Sequence, residues 1–393
     1  MTRCLWSTLS RGMGRGYARL PDGVDRAVLG TWTRLRRAMR RHVTVDRVSG
    51  EDLTVLIADR SSAIDYLLQK WLDDPQFDLV GRRRRGTDLV ASEHGADLTI
   101  ARVDRRAAAG SRDATTWRVP EAVGAVVHLT GCDTDPTWDN KSNKNNLRRI
   151  KRNNLVCEIS HDPAEFDSFY RELYRPYTAQ RYGELAASRS YHRMLREFHR
   201  GGLIRVTQNG ERLAASVFSV RGQRVRSWIL APDPRRPDAV TLGSLTATYL
   251  HLMQWALGRK LQDVDLGASR PVLNDGVLVH KKYWGAQVME ERGIEYDLAL
   301  QWSQWSPALA RCLHETPLVV RDGDGLAGLT AMPMDQAPDP GQTRSHLERL
   351  AMPGLTRLIV IADAGWHLPD AHLRGHSLTW LTGDEVSVRR PAP

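Results

Sequence analysis

Residues 201–267 read GGLIRVTQNGERLAASVFSVRGQRVRSWILAPDPRRPDAVTLGSLTATYLHLMQWALGRKLQDVDLG, and this stretch decides the fold. Three strand-like segments, LIRVTQ, RLAASVFSV and RVRSWILA, are joined by Asn209-Gly210 and by Arg221-Gly222-Gln223. Tight hairpin turns want positive φ, which Asn-Gly supplies, so the three segments form an antiparallel meander. After the turn-rich APDPRRPDA, Leu242, Leu245, Tyr249, Leu252, Met253 and Ala256 recur at helical spacing, and Gly258 closes the helix. DVDLG follows at once as a short strand.

Upstream, Asp162 reads as an N-cap, with Pro163 at the first helical position and Glu165 three residues after the cap. Phe166, Phe169, Tyr170 and Leu173 then fall on one helical face. A second helix over residues 191–200 carries Leu195 and Phe198 and stops at Gly201-Gly202. Downstream, AQVMEERGIEYDLAL supplies further strand material. The order is helix, helix, three antiparallel strands, long helix, strand: an α+β class with one mixed sheet.

The flanks read differently. Residues 1–42 are a basic appendage ending in TWTRLRRAMRRH, a short helix with Trp32, Leu35 and Met39 on one side. Residues 43–135 alternate short apolar runs with Gly, Asp and Arg clusters, an α/β lobe in which SAIDYLLQKWL is the clearest helix and RRAAAGSRDATT a loop. Past Ser306 the composition shifts. DQAPDPGQTRS reads as an interdomain linker, and TRLIVIADA, a turn of helix at DAHLRG, and SLTWLTG make a small C-terminal α/β unit over 306–393. The central domain is bounded at 136–305.

A chain of 393 residues exceeds what one core organises, and 41% hydrophobic with 26% charged residues is ordinary globular composition. The net charge of +10 favours anionic partners such as nucleotides, tRNA or acidic membranes. Arg-rich runs at 34–41, 82–85 and 148–152 fit solvated faces equally well. Cys4, Cys132, Cys157 and Cys312 are far apart and show no metal-ligand spacing, which argues against a zinc site or a disulfide framework. With neither an apolar leader nor a run of about 18 apolar residues, a reducing cytoplasm is the expected compartment.

Four pieces of the central region carry a family resemblance: NKSNKNNLRRIKRNNLVCEIS, FYRELYRPYTAQRYGE, GERLAASVFSV, and WALGRKLQDVDLGASRP followed by KKYWGAQ. Together they resemble the FemAB-like and cellulose-biosynthesis-type acyltransferases of the GNAT superfamily, over about 165 residues. The resemblance implies the GNAT fold and transfer of an acyl or aminoacyl group to an amine on a small molecule, glycan or peptide. It also implies that residues 43–135 are a degenerate first GNAT lobe, because Fem relatives carry two lobes in tandem.

The same resemblance implies a donor site where RVRSWILA and DVDLG splay apart. There the long helix begins at Leu242, Gly243 and Ser244 behind Arg235 and Arg236, and a helix start suits a phosphate. Acyl-CoA is one expected donor. PRRPDAVTLGSL has a single glycine where coenzyme A users carry a Gly-rich loop, so aminoacyl-tRNA, as used by Fem ligases, stands as the other. Asp265 is the candidate to orient or deprotonate the amine, with Ser269 and Lys281 as catalytic candidates beside it. Arg270 could grip an anionic substrate group, and Arg181, Tyr182 and Glu184 are acceptor-binding candidates. Asp265 also fits a turn cap, Ser269-Arg270-Pro271 a plain loop, and Trp284 a packing role. His161, His192 and His199 read as capping or solvent-facing, and no spacing points to a covalent acyl-enzyme, which leaves direct attack by the amine. From another class, Arg148, Arg149, Lys151 and Arg152 would suit a non-catalytic RNA- or polyanion-binding protein.

Overall fold

The computed structural model describes residues 42–84, 95–105, 115–129, 141–182, 189–302, 304–334, 339–362, 366–368, 372–373 and 375–387. The helix expected at TWTRLRRAMRRH, most of the RRAAAGSRDATT loop and Glu184 lie outside the described residues. The chain forms two compact units: a central one whose described part lies within Val127–Gly267, and a composite one assembled from His42–Val126 and Ala268–Pro393.

The composite unit opens with strands β1 (His42–Ser49) and β2 (Thr54–Ala58), helix α1 (Ser62–Trp71), then β3 (Gln76–Arg84), β4 (Leu98–Asp104), β5 (Trp117–Pro120) and β6 (Val123–His128). Helix α1 forms where expected: Ser61 caps it by accepting from Ile64 N, and Ala63, Ile64, Leu67 and Leu68 bury one face.

The central unit continues with α2 (Lys141–Arg152), β7 (Leu155–Ser160) and α3 (Pro163–Ser168). Asp162 caps α3 through a 2.9 Å bond from Ala164 N. Glu165 does not complete a capping box; it pairs with Arg205 at 2.5 Å. A π-helical turn over Phe169–Tyr174 leads into α4 (Arg175–Tyr182). The extra residue per turn lets Phe169, Leu173 and Tyr174 all be buried. Helix α5 (Tyr191–Phe198) precedes the meander β8 (Gly201–Gln208), β9 (Glu211–Arg221) and β10 (Arg224–Pro232). Asn209 and Gly210 have φ of 51° and 82°, as the hairpin requires. Helices α6 (Ala239–Leu242) and α7 (Ser244–Gly258) then lead to β11 (Asp263–Ser269). Within this unit the strand order is β11–β10–β9–β8–β7, antiparallel except for the parallel pair β10/β11. Phe166, Phe169, Phe198, Leu203, Val217 and Ala231 form the core between the helices and the meander. Each phenylalanine buried there contributes roughly 1.5–3 kcal/mol.

The composite unit resumes with α8 (Gly276–Tyr283), β12 (Gln287–Glu290), β13 (Tyr296–Trp302), α9 (Pro307–Glu315), β14 (Leu318–Asp322), β15 (Gly325–Ala331), α10 (Pro340–Leu350), β16 (Arg357–Ala362), β17 (His372–Leu373) and β18 (His376–Thr382). AQVMEERGIEYDLAL is thus two strands with separate fates. β12 pairs with β6, whereas β13 lies between β4 and β5 in a six-stranded sheet ordered β3–β1–β2–β4–β13–β5. The units therefore cut the chain differently from boundaries drawn on composition at 135 and 305. A five-stranded sheet, β14–β15–β16–β18–β17, follows. The stretch DQAPDPGQTRS is not all linker: Asp339 accepts from Gln342 N with Pro340 behind it, and this cap starts α10. DAHLRG is not a helical turn either; its His372–Leu373 pairs antiparallel with β18. Among the described residues no helix is long and apolar enough to cross a membrane.

His314 of α9 and His346 of α10 stack with ring centroids 4.4 Å apart, and His314 Nδ1 lies 3.0 Å from the Ala331 carbonyl. Burial, then the positive fields of His314 and Arg349, lowers the His346 pKa from its ordinary 6.5 to about 4. The unfolded chain therefore takes up this proton first, and stability falls as pH drops from about 6.5 towards about 4. His346→Phe keeps the stacked ring and should flatten that part of the pH profile in urea melts. An unchanged slope would rule the histidine out as its source.

Candidate active site

The parallel pair β10/β11 is registered over three residue pairs, Arg224 with Asp263, Val225 with Val264 and Arg226 with Asp265, and there the pairing ends. Both strands change course at this point. β10 carries a bulge between Ser227 and Ile229, and in β11 Gly267 turns to a φ of 80°. Gly267 also comes close to β10: a Cβ built on it would lie 2.8 Å from the Ser227 carbonyl oxygen. The splaying expected from RVRSWILA and DVDLG is present.

Asp265 stands at the parting. Its Oδ2 accepts from Arg226 Nη1 at 3.0 Å and its Oδ1 from Gly267 N at 2.8 Å, with the residue 6% exposed. Asp265 therefore both caps the turn and pairs with Arg226. One turn earlier in register, Asp263 receives Arg224 and His128, at 2.7 and 2.8 Å.

The connection between the two strands brings the start of α7 to the same unit. Gly243 precedes it with a φ of 97°, and no side chain caps the helix. Gly243 separates α6 from α7 and so cuts Leu242 off from the helical series that the spacing predicts, because φ near 97° is open to glycine and strained for other residues. A Cβ at Gly243 would lie 3.2 Å from Arg149 Cδ, so the stem of this α2 arginine passes over the helix start. Ser244 is fully buried with no partner for its Oγ, and the Leu242 carbonyl accepts from Asn153 Nδ2 at 2.8 Å. Arg235 and Arg236, expected behind this start, are both in ion pairs: Arg235 with Asp233 at 2.6 Å, Arg236 with Asp238 at 3.0 Å and with Glu211. Burial alone would raise the Asp233 pKa, but bonds from the Arg235 side chain and backbone and the charge of Arg212 hold it below its ordinary range.

In the composite unit, Ser269 and Lys281 come together. Lys281, 1% exposed, donates from Nζ to Ser269 Oγ at 2.9 Å and to the Ala268 carbonyl at 3.0 Å. Helix α8 sets the lysine: Asp275 caps it through Val277 N, and fully buried Trp284 closes it. The packing role read for Trp284 fits this burial, and its indole points Nε1 to His280 Nε2 at 3.3 Å. Burial and the Lys281 charge lower the His280 pKa, which leaves a neutral acceptor for that bond. Arg270 lies over the Tyr66 ring, 5.2 Å from its centroid. Arg181 and Tyr182 end α4; their side chains, like Glu184, lie outside the described residues.

Sequence reasoning missed Arg226 and Trp228. Arg226 holds Asp265, and Trp228 is the extra residue of the bulge, its Nε1 donating to Ser219 Oγ at 2.6 Å. The available signal was the break in RVRSWIL, where alternation of polar and apolar residues stops at Ser227, just before Trp228. Cys157 is no nucleophile: burial pushes its thiol up to about 12. Among the described residues no group of three or more His, Cys, Asp or Glu could hold a metal ion.

Residues 141–277 match the family model described as an acetyltransferase (GNAT) domain. Solved structures similar to this chain include FemX (11% identity, 67% of this chain and 89% of that one, TM-score 0.35). L-PGS from Bacillus licheniformis is another (12% identity, 66% and 80%, TM-score 0.32). So is the ribosomal-protein-S18-alanine N-acetyltransferase from Escherichia coli (13% identity, 37% and 90%, TM-score 0.24). No curated protein matches the chain. With its meander, its connecting helix and its parallel pair that parts, the segment 141–277 has the GNAT fold and is similar to the acetyltransferase domain of that family model.

Proposed function

We propose that this chain is an N-acyltransferase of FemAB-like type, acting in envelope, polysaccharide or secondary-metabolite biosynthesis. One observation carries the reading: β10 and β11 part after Asp265, and the helix connecting them starts without a side-chain cap. A phosphate fits that start, where the partnerless Ser244 Oγ is buried and the Arg149 stem passes over Gly243. Ser244, through its Oγ and N–H, and Arg149 would hold it, while Arg235 and Arg236 keep their charge within ion pairs. Acyl-CoA is the donor this arrangement suits. Aminoacyl-tRNA is the alternative, favoured by the net charge of +10.

When bound, the donor supplies an acyl carbon activated by its thioester or ester bond. Asp265, ion-paired with Arg226, accepts the proton of the attacking amine. Within the composite unit Lys281 donates to Ser269 Oγ, which leaves the serine hydroxyl hydrogen available as a donor. The amine nitrogen bonds to the acyl carbon as the carbon–sulfur or ester carbon–oxygen bond breaks, with no enzyme-bound acyl group. Arg181, Tyr182, Glu184 and Arg270 are assigned to the acceptor.

The test is a panel of acyl-CoA thioesters and aminoacyl-tRNAs offered with amines to the purified protein. Turnover of at least one pair is expected, with kcat lowered about 100-fold or more in Asp265→Asn. If no donor is consumed, the reading fails.

A second reading has its own observation. Helix α2 has no acidic residue in its first turn and exposes Lys144, Arg148, Lys151 and Arg152. This face suits a polyanion, and tRNA binding with steep salt dependence but no transfer would favour it.

A further inference from the structure

Arg226 stands directly opposite Ser219 in the β10/β9 ladder, and the bulge follows at once: Ser227 pairs with Phe218 and Ile229 with Val217, which leaves Trp228 without an opposite residue. A bulge re-aims the side chain it inserts. The half-buried Trp228 reaches back to the rung before the bulge. Its Nε1 donates to Ser219 Oγ at 2.6 Å, and Arg226 Cζ lies 4.7 Å from its ring centroid. Ser219 is 1% exposed, so the anchor of the indole sits inside the packed sheet. Arg189 and Arg193 also approach the ring, at 5.3 and 5.8 Å, and Arg226 is the nearest of these three guanidinium groups.

Arg226 links this ring to the candidate site. Its Nη1 donates to Asp265 Oδ2 at 3.0 Å from directly across the parallel pair. An arginine stem has several soft torsions and can meet a carboxylate in many conformers. A ring face under its guanidinium selects among them, by roughly 2- to 30-fold as the contact goes from exposed to desolvated. The Asp265 carboxylate is held at both oxygens, by the Gly267 N–H on Oδ1 and by Arg226 on Oδ2. The first contact is backbone and fixed by the chain. The second is a side chain, so the direction in which Asp265 offers its remaining lone pairs depends on where Arg226 is kept.

We propose that Trp228 is a positioning residue for Asp265: anchored by Ser219, the indole keeps Arg226 in the conformer that pairs with Asp265, and so aims the carboxylate at the attacking amine. The part in turnover rests on the acyl-transfer reading; the hold on Arg226 does not and can be tested without turnover.

The test uses the full chain labelled with ¹⁵N at its arginines, with the Arg226 Nε–H resonance assigned from Arg226→Lys. The Arg226 side chain is 15% exposed, which slows exchange of this proton with water. Trp228→Leu should remove the ring-current shift of the resonance and speed its exchange about tenfold. Trp228→Phe should restore part of the shift, and Ser219→Ala, which keeps the ring and removes its anchor, should fall between. On an active donor and amine pair, Trp228→Leu should lower kcat about tenfold with both KM values within about twofold of the parent's, the signature of a misaimed reacting group. In an Asp265→Asn background the same substitution should change kcat by less than about twofold, since a residue acting through Asp265 then has nothing left to aim. If Trp228→Leu does not fold, Ser219→Ala carries the same readouts. Parent-like shift and exchange of Arg226 in these variants, or a loss of kcat that persists in full in the Asp265→Asn background, would overturn the proposal. No turnover by the parent on the donor panel would remove the acyl-transfer reading, and shift and exchange alone would then decide the hold on Arg226.

Discussion

An Asp297→Ala variant should lose about 3–5 kcal/mol of stability, because it strips a buried carboxylate from two arginines that stay behind. Asp297 in β13 is fully buried. Its carboxylate accepts from Arg118 Nη2 at 2.8 Å and from Arg321 Nε and Nη2 at 2.6 and 2.9 Å. Glu290 adds bonds from the same Arg321 and from Arg105. One cluster therefore ties β13 to β5, β14, β12 and the end of β4. Burial by itself would lower the Arg321 pKa, but its bond to Asp297 and the charges of Asp297 and Glu290 more than offset this and raise it. Removing Asp297 leaves those charges in a low-dielectric setting with half their compensation gone. Urea unfolding, with hydrogen exchange read on β13 and β5, measures the loss. A double-mutant cycle with Arg321→Ala should show coupling above about 1 kcal/mol. A shift below that figure in the single variant would mean that the cluster is solvated or dispensable.

This cluster also marks the limit of what the sequence discloses. Local signals were sufficient where partners are neighbours: Asn209-Gly210 set its hairpin and Asp162-Pro163 started α3, whereas α7 runs through Gly258 and it is Lys260, with a φ of 56°, that takes the left-handed position beyond its end. They say that YDLALQW is a strand but not that it belongs beside Leu98–Asp104 and Trp117–Pro120, nearly 200 residues upstream. Period-two alternation encodes a face, and carries no address for the partner strand. The π-helical turn was hidden for a related reason, since Phe169, Tyr170 and Leu173 fit an α-helical face equally well.

The site was legible in its residue types more than in its contacts. Ser269 and Lys281, twelve residues apart, were picked as candidates, and they do meet. Arg235 and Arg236 were picked for their charge, yet that charge is balanced by Asp233, Asp238 and Glu211, the last on a different strand. Arg226 drew no notice because an arginine on an alternating strand looks like a solvent-facing residue. Only the parallel register shows it opposite Asp265.

Gly267 is where the candidate site is most exposed to a single change. Its φ of 80° costs a residue with a Cβ roughly 1–2 kcal/mol, and valine, branched at Cβ, suffers most. The new Cβ would also stand 2.8 Å from the Ser227 carbonyl, and a backbone oxygen within a strand cannot swing aside as a side chain can. Either β10 or β11 must shift, at a further cost of about 1–3 kcal/mol. The displacement falls one step past the last registered pair, where Asp265 holds both Arg226 and the Gly267 N–H. Misplacing a reacting group by about 1 Å can cost on the order of 100-fold in rate. Gly267→Val should therefore lower kcat about 100-fold at a temperature where the variant remains folded, with Gly267→Ala intermediate. Phosphate binding at the start of α7 should change little, since Gly243 and Ser244 lie elsewhere on the chain. Thermal melts and kcat measured on the same samples separate the two effects. Stability that falls while kcat holds would show that the parting of β10 and β11 is a structural feature and that the chemistry sits somewhere else.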